Sequence, residues 1–192
     1  MDWERPRPLV NRRDCLGVAE RVDYQGDIVD PLGAADLDRI ITDVRSKLSD
    51  TSDEPVALAI NFLFAYAHPT HEQEVQNRLS KEFPDLPISV SHEVAPIWRE
   101  YERASTTIAD AAVKPMMQAF VKSLDHGLKS RGFERDWAVM KSNGGQMLAQ
   151  ASADRPIQTV LSGLSGGIIA GKDIRERQKA CLLYKSYNND ER

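Results

Sequence analysis

The residues best equipped for chemistry cluster after a short apolar segment at 88–90. His92 and Glu93 lie in SHEVAP (91–96), and Glu100 and Arg103 in REYERASTT (99–107). An imidazole and two carboxylates can exchange protons with a substrate, and a guanidinium grips carboxylate or phosphate. Alternating charges in a connecting helix also form solvated faces and ion pairs, so spacing leaves both readings open. Two glycine motifs follow: Ser142-Asn143-Gly144-Gly145, and Ser162-Gly163-Leu164-Ser165-Gly166-Gly167 before an apolar trio. Glycines let consecutive amides converge on an anion, and serines add donors. Neither motif matches the P-loop or dinucleotide fingerprint, so read alone each is a tight structural turn. In His68-Pro69-Thr70-His71-Glu72 the histidines are three apart across a proline. A zincin needs them four apart on one helix face, so no metal site is expected here. The helix dipole accounts for Glu72 and Glu74.

These groups need elements to position them. The stretch 15–23 reads as a strand and Tyr24 to Asp27 as turn chemistry before Ile28 and Val29, a hairpin. Leu37, Ile40, Ile41, Val44 and Leu48 recur at helical steps, the stripe of a helix packed on a sheet. The apolar run 56–64 is expected as an interior strand of a mixed sheet. A helix follows Pro69, with Val75, Leu79 and Phe83 inward, then a strand at 88–90, completing a βαβ unit. A long helix is expected over 105–131, capped by Ser105, with Ile108, Ala112, Met116, Phe120, Leu124 and Leu128 on its inner face. Pro115 predicts a kink there or two consecutive helices. A strand at 137–140 opens into the first glycine motif, and 172–192 reads as a polar, frayed tail.

With 192 residues and a formal net charge of −4, the chain fits one domain or little more and lacks the cationic excess of a general nucleic-acid binder. Two cysteines, Cys15 and Cys181, make neither a disulfide framework nor a C-x-x-C site, which favours a reducing, cytoplasmic setting. The start resembles no signal peptide, and the longest apolar run falls short of a membrane span.

Taken in order, VAERVDYQG (18–26) with DPL (30–32), AINFLFAYAHPTHE (59–72), SVSHEVAP (89–96), REYERASTT (99–107), MKSNGG (140–145) and LSGLSGG (161–167) resemble the A-type subunit of the hydantoinase, 5-oxoprolinase and acetone carboxylase family. The resemblance implies an α/β, actin-like (ribonuclease H-like) ATPase fold in which ATP activates a cyclic amide. In carboxylase relatives the activated groups are a ketone and bicarbonate. It also implies Mg2+ with the nucleotide in the full-length family, a B-type partner subunit or domain, and phosphate-side roles for Ser142, Asn143, Gly144, Gly145, Ser162, Gly163, Gly166 and Gly167. Family members carry acidic phosphate hairpins before 14 and after 171, where this chain has an extended lead-in and then KDIRER. The expectation is therefore an internal slice, not catalytically complete alone. Residues 1–13 would be the lead-in, 14–104 the end of the N-terminal domain, 105–171 the start of the hydantoinase domain and 172–192 a divergent tail. A non-catalytic module docking a B-type partner is the competing expectation.

Overall fold

The computed structural model describes residues 8–50 and 55–178. Its first element after a short 3-10 turn is the expected hairpin, β1 (Arg21–Val22) against β2 (Ile28–Asp30), antiparallel and shorter than the apolar pattern suggests. The turn is closed by Asp23, whose Oδ1 accepts the amides of Gln25 and Asp27, both at 2.9 Å. Such local side-chain bonds favour a turn over continued strand.

Helix α1 (Ala34–Asp50) turns Ile40, Ile41 and Val44 inward, as their spacing requires. It shares the main core with Ile60, Val75, Leu79 and Val90. Those four belong to a βαβ unit: β3 (Leu58–Ile60), α2 (Thr70–Glu82) and β4 (Ile88–Val90), with β3 and β4 parallel and Ala59 opposite Ser89. The run 56–64 is thus a strand only over three residues. Its continuation leaves the sheet because both polar groups of the Phe62 backbone bond to side chains: its amide to Glu72 and its carbonyl to Arg103. The loop then passes through Phe64 at φ 56, a left-handed conformation that costs a non-glycine residue energy.

After the short α3 (Ser91–Val94), α4 runs unbroken from Glu100 to Lys129. It is neither split at Pro115 nor started at Ser105. Arg99 is its cap residue, and the domain boundary expected at 104/105 falls inside its first turns. Its inward face also differs from the expectation: Arg103, Thr107, Asp110, Ala111, Lys114 and Val121 are buried, while Met116, Phe120 and Leu124 are exposed. The reason is what α4 packs against. Asp110 accepts the Ser89 hydroxyl at 2.7 Å and the Ile157 amide at 2.9 Å, and Lys114 Nζ donates to the Ile88 carbonyl at 2.8 Å. Polar groups at the β4 edge needed polar partners, because an unmade hydrogen bond in a dry interior costs about 1–3 kcal/mol.

A second, smaller core of Val121, Ala149 and Ala153 joins α4 to hairpin β5 (Ala138–Met140) and β6 (Gln146–Leu148) and to α5 (Ala149–Asp154). A 3-10 turn (Pro156–Thr159) leads to α6 (Ser162–Gln178). The architecture is therefore α/β, but the mixed sheet is replaced by three two-stranded sheets among the described residues. Residues 172–178 continue α6, and the remaining tail, 179–192, lies outside the described residues, as does 1–7 of the lead-in. No helix of the described residues is long and apolar enough to cross a membrane.

Candidate functional site

Parallel strands deliver their following residues to one end of a sheet, where α/β proteins bind ligands. Here β3 delivers Asn61 and Phe62, and β4 delivers Ser91 and His92. The first turn of α2 brings Glu72 to the same place, one turn before the inward Val75. Glu72 is fully buried and its carboxylate is saturated. Oε1 accepts from the Phe62 amide at 2.8 Å and the Ser91 hydroxyl at 2.6 Å. Oε2 accepts from the His92 amide at 3.0 Å and meets His92 Nδ1 at 2.7 Å. A carboxylate only accepts, so Nδ1 carries the proton and the ring is fixed in orientation. Nε2 of His92 has no partner among the described residues and is the atom left open for chemistry.

Arg103, also fully buried, stands across Ser91 from this pair. Its Nε donates to Asn61 Oδ1 and to Ser91 Oγ, both at 3.1 Å, and its two terminal nitrogens donate to the Ile97 and Phe62 carbonyls at 2.8 and 2.6 Å. The guanidinium also lies 5.5 Å from the Tyr66 ring centre. Ser91 therefore donates to Glu72 and accepts from Arg103, linking a buried anion to a buried cation. The result is a rigid frame around the 61–66 loop with one imidazole nitrogen open.

Of the four polar residues singled out by sequence, His92 and Arg103 meet here. Glu93 is exposed and lines a separate cleft, and Glu100 sits half-buried in the first turn of α4. The helix dipole alone does not account for Glu72, which is the hub of the cluster. The signal is in the sequence: Glu72 lies three residues before Val75 and seven before Leu79, hence on the inward face. Asn61, which interrupts an apolar run, is likewise informative.

His68, His71 and Glu72 diverge. His68 Nδ1 donates to the Gly26 carbonyl at 2.7 Å, and His71 Nδ1 meets Glu20 at 2.7 Å while its Nε2 accepts the Leu32 amide at 3.4 Å. These contacts fasten the first hairpin to α2. Among the described residues no cluster of three or more His, Cys, Asp or Glu is arranged to hold a metal.

The two glycine motifs lie against each other, one as the tip of the β5–β6 hairpin and the other as the start of α6 rather than a turn. Ser165 Oγ donates to the Ser142 carbonyl, and Ile169 of α6 lies where a Cβ on Gly144 would fall, 2.7 Å away. Gly144 itself has φ +84. Within the hairpin tip the amides of Ser142, Gly144 and Gly145 donate to the Gln158 carbonyl, the Lys141 carbonyl and Asn143 Oδ1. The Ser142 hydroxyl donates to the Val160 carbonyl at 2.5 Å.

Comparison with known proteins matches both halves of this frame. The model of the hydantoinase/oxoprolinase N-terminal region matches residues 2–83 and the hydantoinase/oxoprolinase model residues 103–184. An uncharacterised protein of Methanocaldococcus jannaschii is 33% identical over 168 residues, 88% of this chain and 24% of its own. Caprolactamase subunit alpha of Pseudomonas jessenii is 28% identical over 163 residues, 85% of this chain and 23% of its own. Among solved structures, nucleotide-free acetone carboxylase, from work on ATP-dependent acetone carboxylation, superposes with TM-score 0.76 at 28% identity, covering 92% of this chain and 24% of that one. The chain thus spans about a quarter of the length of these two curated relatives. The two family models take in both the Glu72 and the Arg103 side of the buried cluster, and the chain belongs to the hydantoinase/oxoprolinase family.

Proposed function

We propose that this chain contributes to an ATP-dependent hydrolase of cyclic amides, of the hydantoinase or 5-oxoprolinase type. It would work in the cytoplasm with a B-type subunit or domain and within an actin-like ATPase frame. The supporting observation is the buried Glu72–His92 pair at the carboxyl ends of two parallel strands, in a family whose members include a caprolactamase. An unstrained lactam resists water, and ATP, when bound, would supply a phosphoryl group that makes the amide carbon a better electrophile. In the balanced reaction, lactam, ATP and two waters give the ring-opened amino acid, ADP and phosphate.

The chain's own residues have distinct tasks in this reading. Nε2 of His92 takes the proton of the attacking water and returns it to the departing ring nitrogen. Glu72 holds the imidazole in the tautomer that leaves Nε2 open, and it stabilises the charge the ring gains. Arg103 is a positioning residue that fixes the 61–66 loop from beneath. The phosphate-side role stays with Ser142–Gly145 and Ser162–Gly167. The start of α6 suits it better than the hairpin tip, whose amides are engaged in the chain. The oxygens of the buried Glu72 and Asp110 are filled by donors of the chain, so neither is open to magnesium, and no step is routed through a metal.

The alternative, a non-catalytic module that docks a B-type partner, draws support from the exposed Met116 and Phe120 on α4 and Leu164 and Ile168 on α6. Phosphate release with hydantoin, 5-oxoproline or caprolactam, measured with and without the B-type subunit, separates the two. Cyclic-amide-dependent ATP consumption supports the enzyme. Partner binding without consumption supports the module.

A further inference from the structure

Glu93, next to His92 in sequence, lines a cleft of about 420 Å3 between α2, β4, α3, α4 and α5, within the usual range for small-molecule sites. Its exposed charges contrast with the paired arginines of α1 and α2. Arg39, Arg45 and Arg78 each pair with a carboxylate at 3.0 to 3.2 Å. In the cleft, Arg155 stands beyond ion-pair distance of both Glu93 and Asp154, and none of the three has a side-chain partner among the described residues. Beside them is Lys114, only 7% exposed. Its ammonium has three donors, and one is filled by the Ile88 carbonyl at 2.8 Å. Asp110 is 3.6 Å away, too far for a hydrogen bond, and its oxygens already accept from Ser89 and Ile157. Ile88 and Met147 add apolar lining to the same cleft.

Two cations with donors to spare, two carboxylates held apart from them and some apolar lining call for a ligand charged at both ends with carbon between. We infer that this cleft binds a small aliphatic zwitterion of the ω-amino acid class. Its carboxylate sits on Arg155 and Lys114, and its ammonium on Glu93 and Asp154. Ring opening of a lactam releases such a molecule, so the choice of ligand rests on the proposed function, while the cleft itself does not.

The test is calorimetric titration of the full chain with 6-aminohexanoate, hexanoate and hexylamine at equal ionic strength, with no ATP present. The expected result is saturable binding of 6-aminohexanoate, at least about tenfold tighter than either half-ligand. Arg155→Ala weakens both 6-aminohexanoate and hexanoate by about tenfold, whereas Glu93→Gln weakens 6-aminohexanoate and leaves hexanoate unchanged. Both side chains are exposed, so the variants fold as the parent does. No saturable heat, equal affinity for the three probes, or binding indifferent to Arg155→Ala overturns the proposal. Saturable binding by a chain that never consumes ATP, even with its partner, would leave the cleft standing and overturn the proposed function alone.

Discussion

The substitution Glu72→Gln keeps volume and shape while turning one oxygen into a donor. The four groups that converge on Glu72 all donate: two backbone amides, one hydroxyl and one ring N–H. Whichever way the new side-chain amide turns, its NH2 faces a backbone N–H that cannot rotate away. If it faces Phe62, Ser91 must accept from both that NH2 and Arg103 and loses its own acceptor. If it faces His92, Ser91 keeps both bonds and the imidazole adapts by moving its proton to Nε2. The second arrangement leaves fewer groups unsatisfied, so it prevails. One orphaned backbone donor in a fully buried site costs about 1–3 kcal/mol. With a urea m-value of about 2 kcal/mol/M, the unfolding midpoint falls by roughly 0.5–1.5 M. Glu72→Ala, which also strips the counter-charge from buried Arg103, costs about 3–5 kcal/mol. The assays are urea unfolding and 15N spectroscopy of the imidazole. A Glu72→Gln protein that unfolds at the parental midpoint, with His92 still protonated at Nδ1, would refute the reasoning.

Other expectations follow from contacts elsewhere in the chain. Arg103→Lys keeps the charge but loses the fork that reaches Asn61, Phe62 and Ile97 together, and lowers stability by about 2 kcal/mol in urea unfolding. Gly144→Ala costs about 1–2 kcal/mol because of its positive φ; adding Ile169→Ala does not recover that loss, whereas recovery would assign it to the 2.7 Å clash. Gly167→Ala, in open space within α6, raises stability by about 0.5–1 kcal/mol. For pH, the hydrogen bond from Lys129, helped by one from Trp137, holds the half-buried Asp125 carboxyl below its ordinary range despite some desolvation. A depressed carboxylate contributes stability above its unfolded pKa and loses it as pH falls through the folded value. Lys129→Met should move the Asp125 titration, followed by NMR, back upward, and an unmoved titration would contradict the assignment.

Helix α1 and the βαβ unit are legible in the sequence because their buried apolar residues recur at the period of their backbone, and the first hairpin by its Asp23 turn, since Ile28 and Val29 stay exposed. Helix α4 misleads for the complementary reason. Its i, i+4 apolar line through Met116, Phe120 and Leu124 has the look of a core face, yet what packs inward is Arg103, Thr107, Asp110 and Lys114. Periodicity weighs hydrophobicity and is blind to the polar edge of a strand that must be satisfied from outside. The same blindness stretches β3 through 64, since nothing local says that side chains rather than a strand will take the Phe62 backbone. In the site, His92 and Arg103 stand out by their types. Their partner Glu72 comes from an element about twenty residues upstream of His92, and only the fold joins them.

The most direct test of the account is the turnover of His92→Ala, with and without added imidazole, in ATP-dependent ring opening of a cyclic amide by the chain together with its B-type subunit. If Nε2 moves the proton, kcat falls by about 10²–10⁴ and exogenous imidazole restores part of it. A variant that opens the ring at the parental rate, or a loss that imidazole does not touch while the fold is intact, would contradict it.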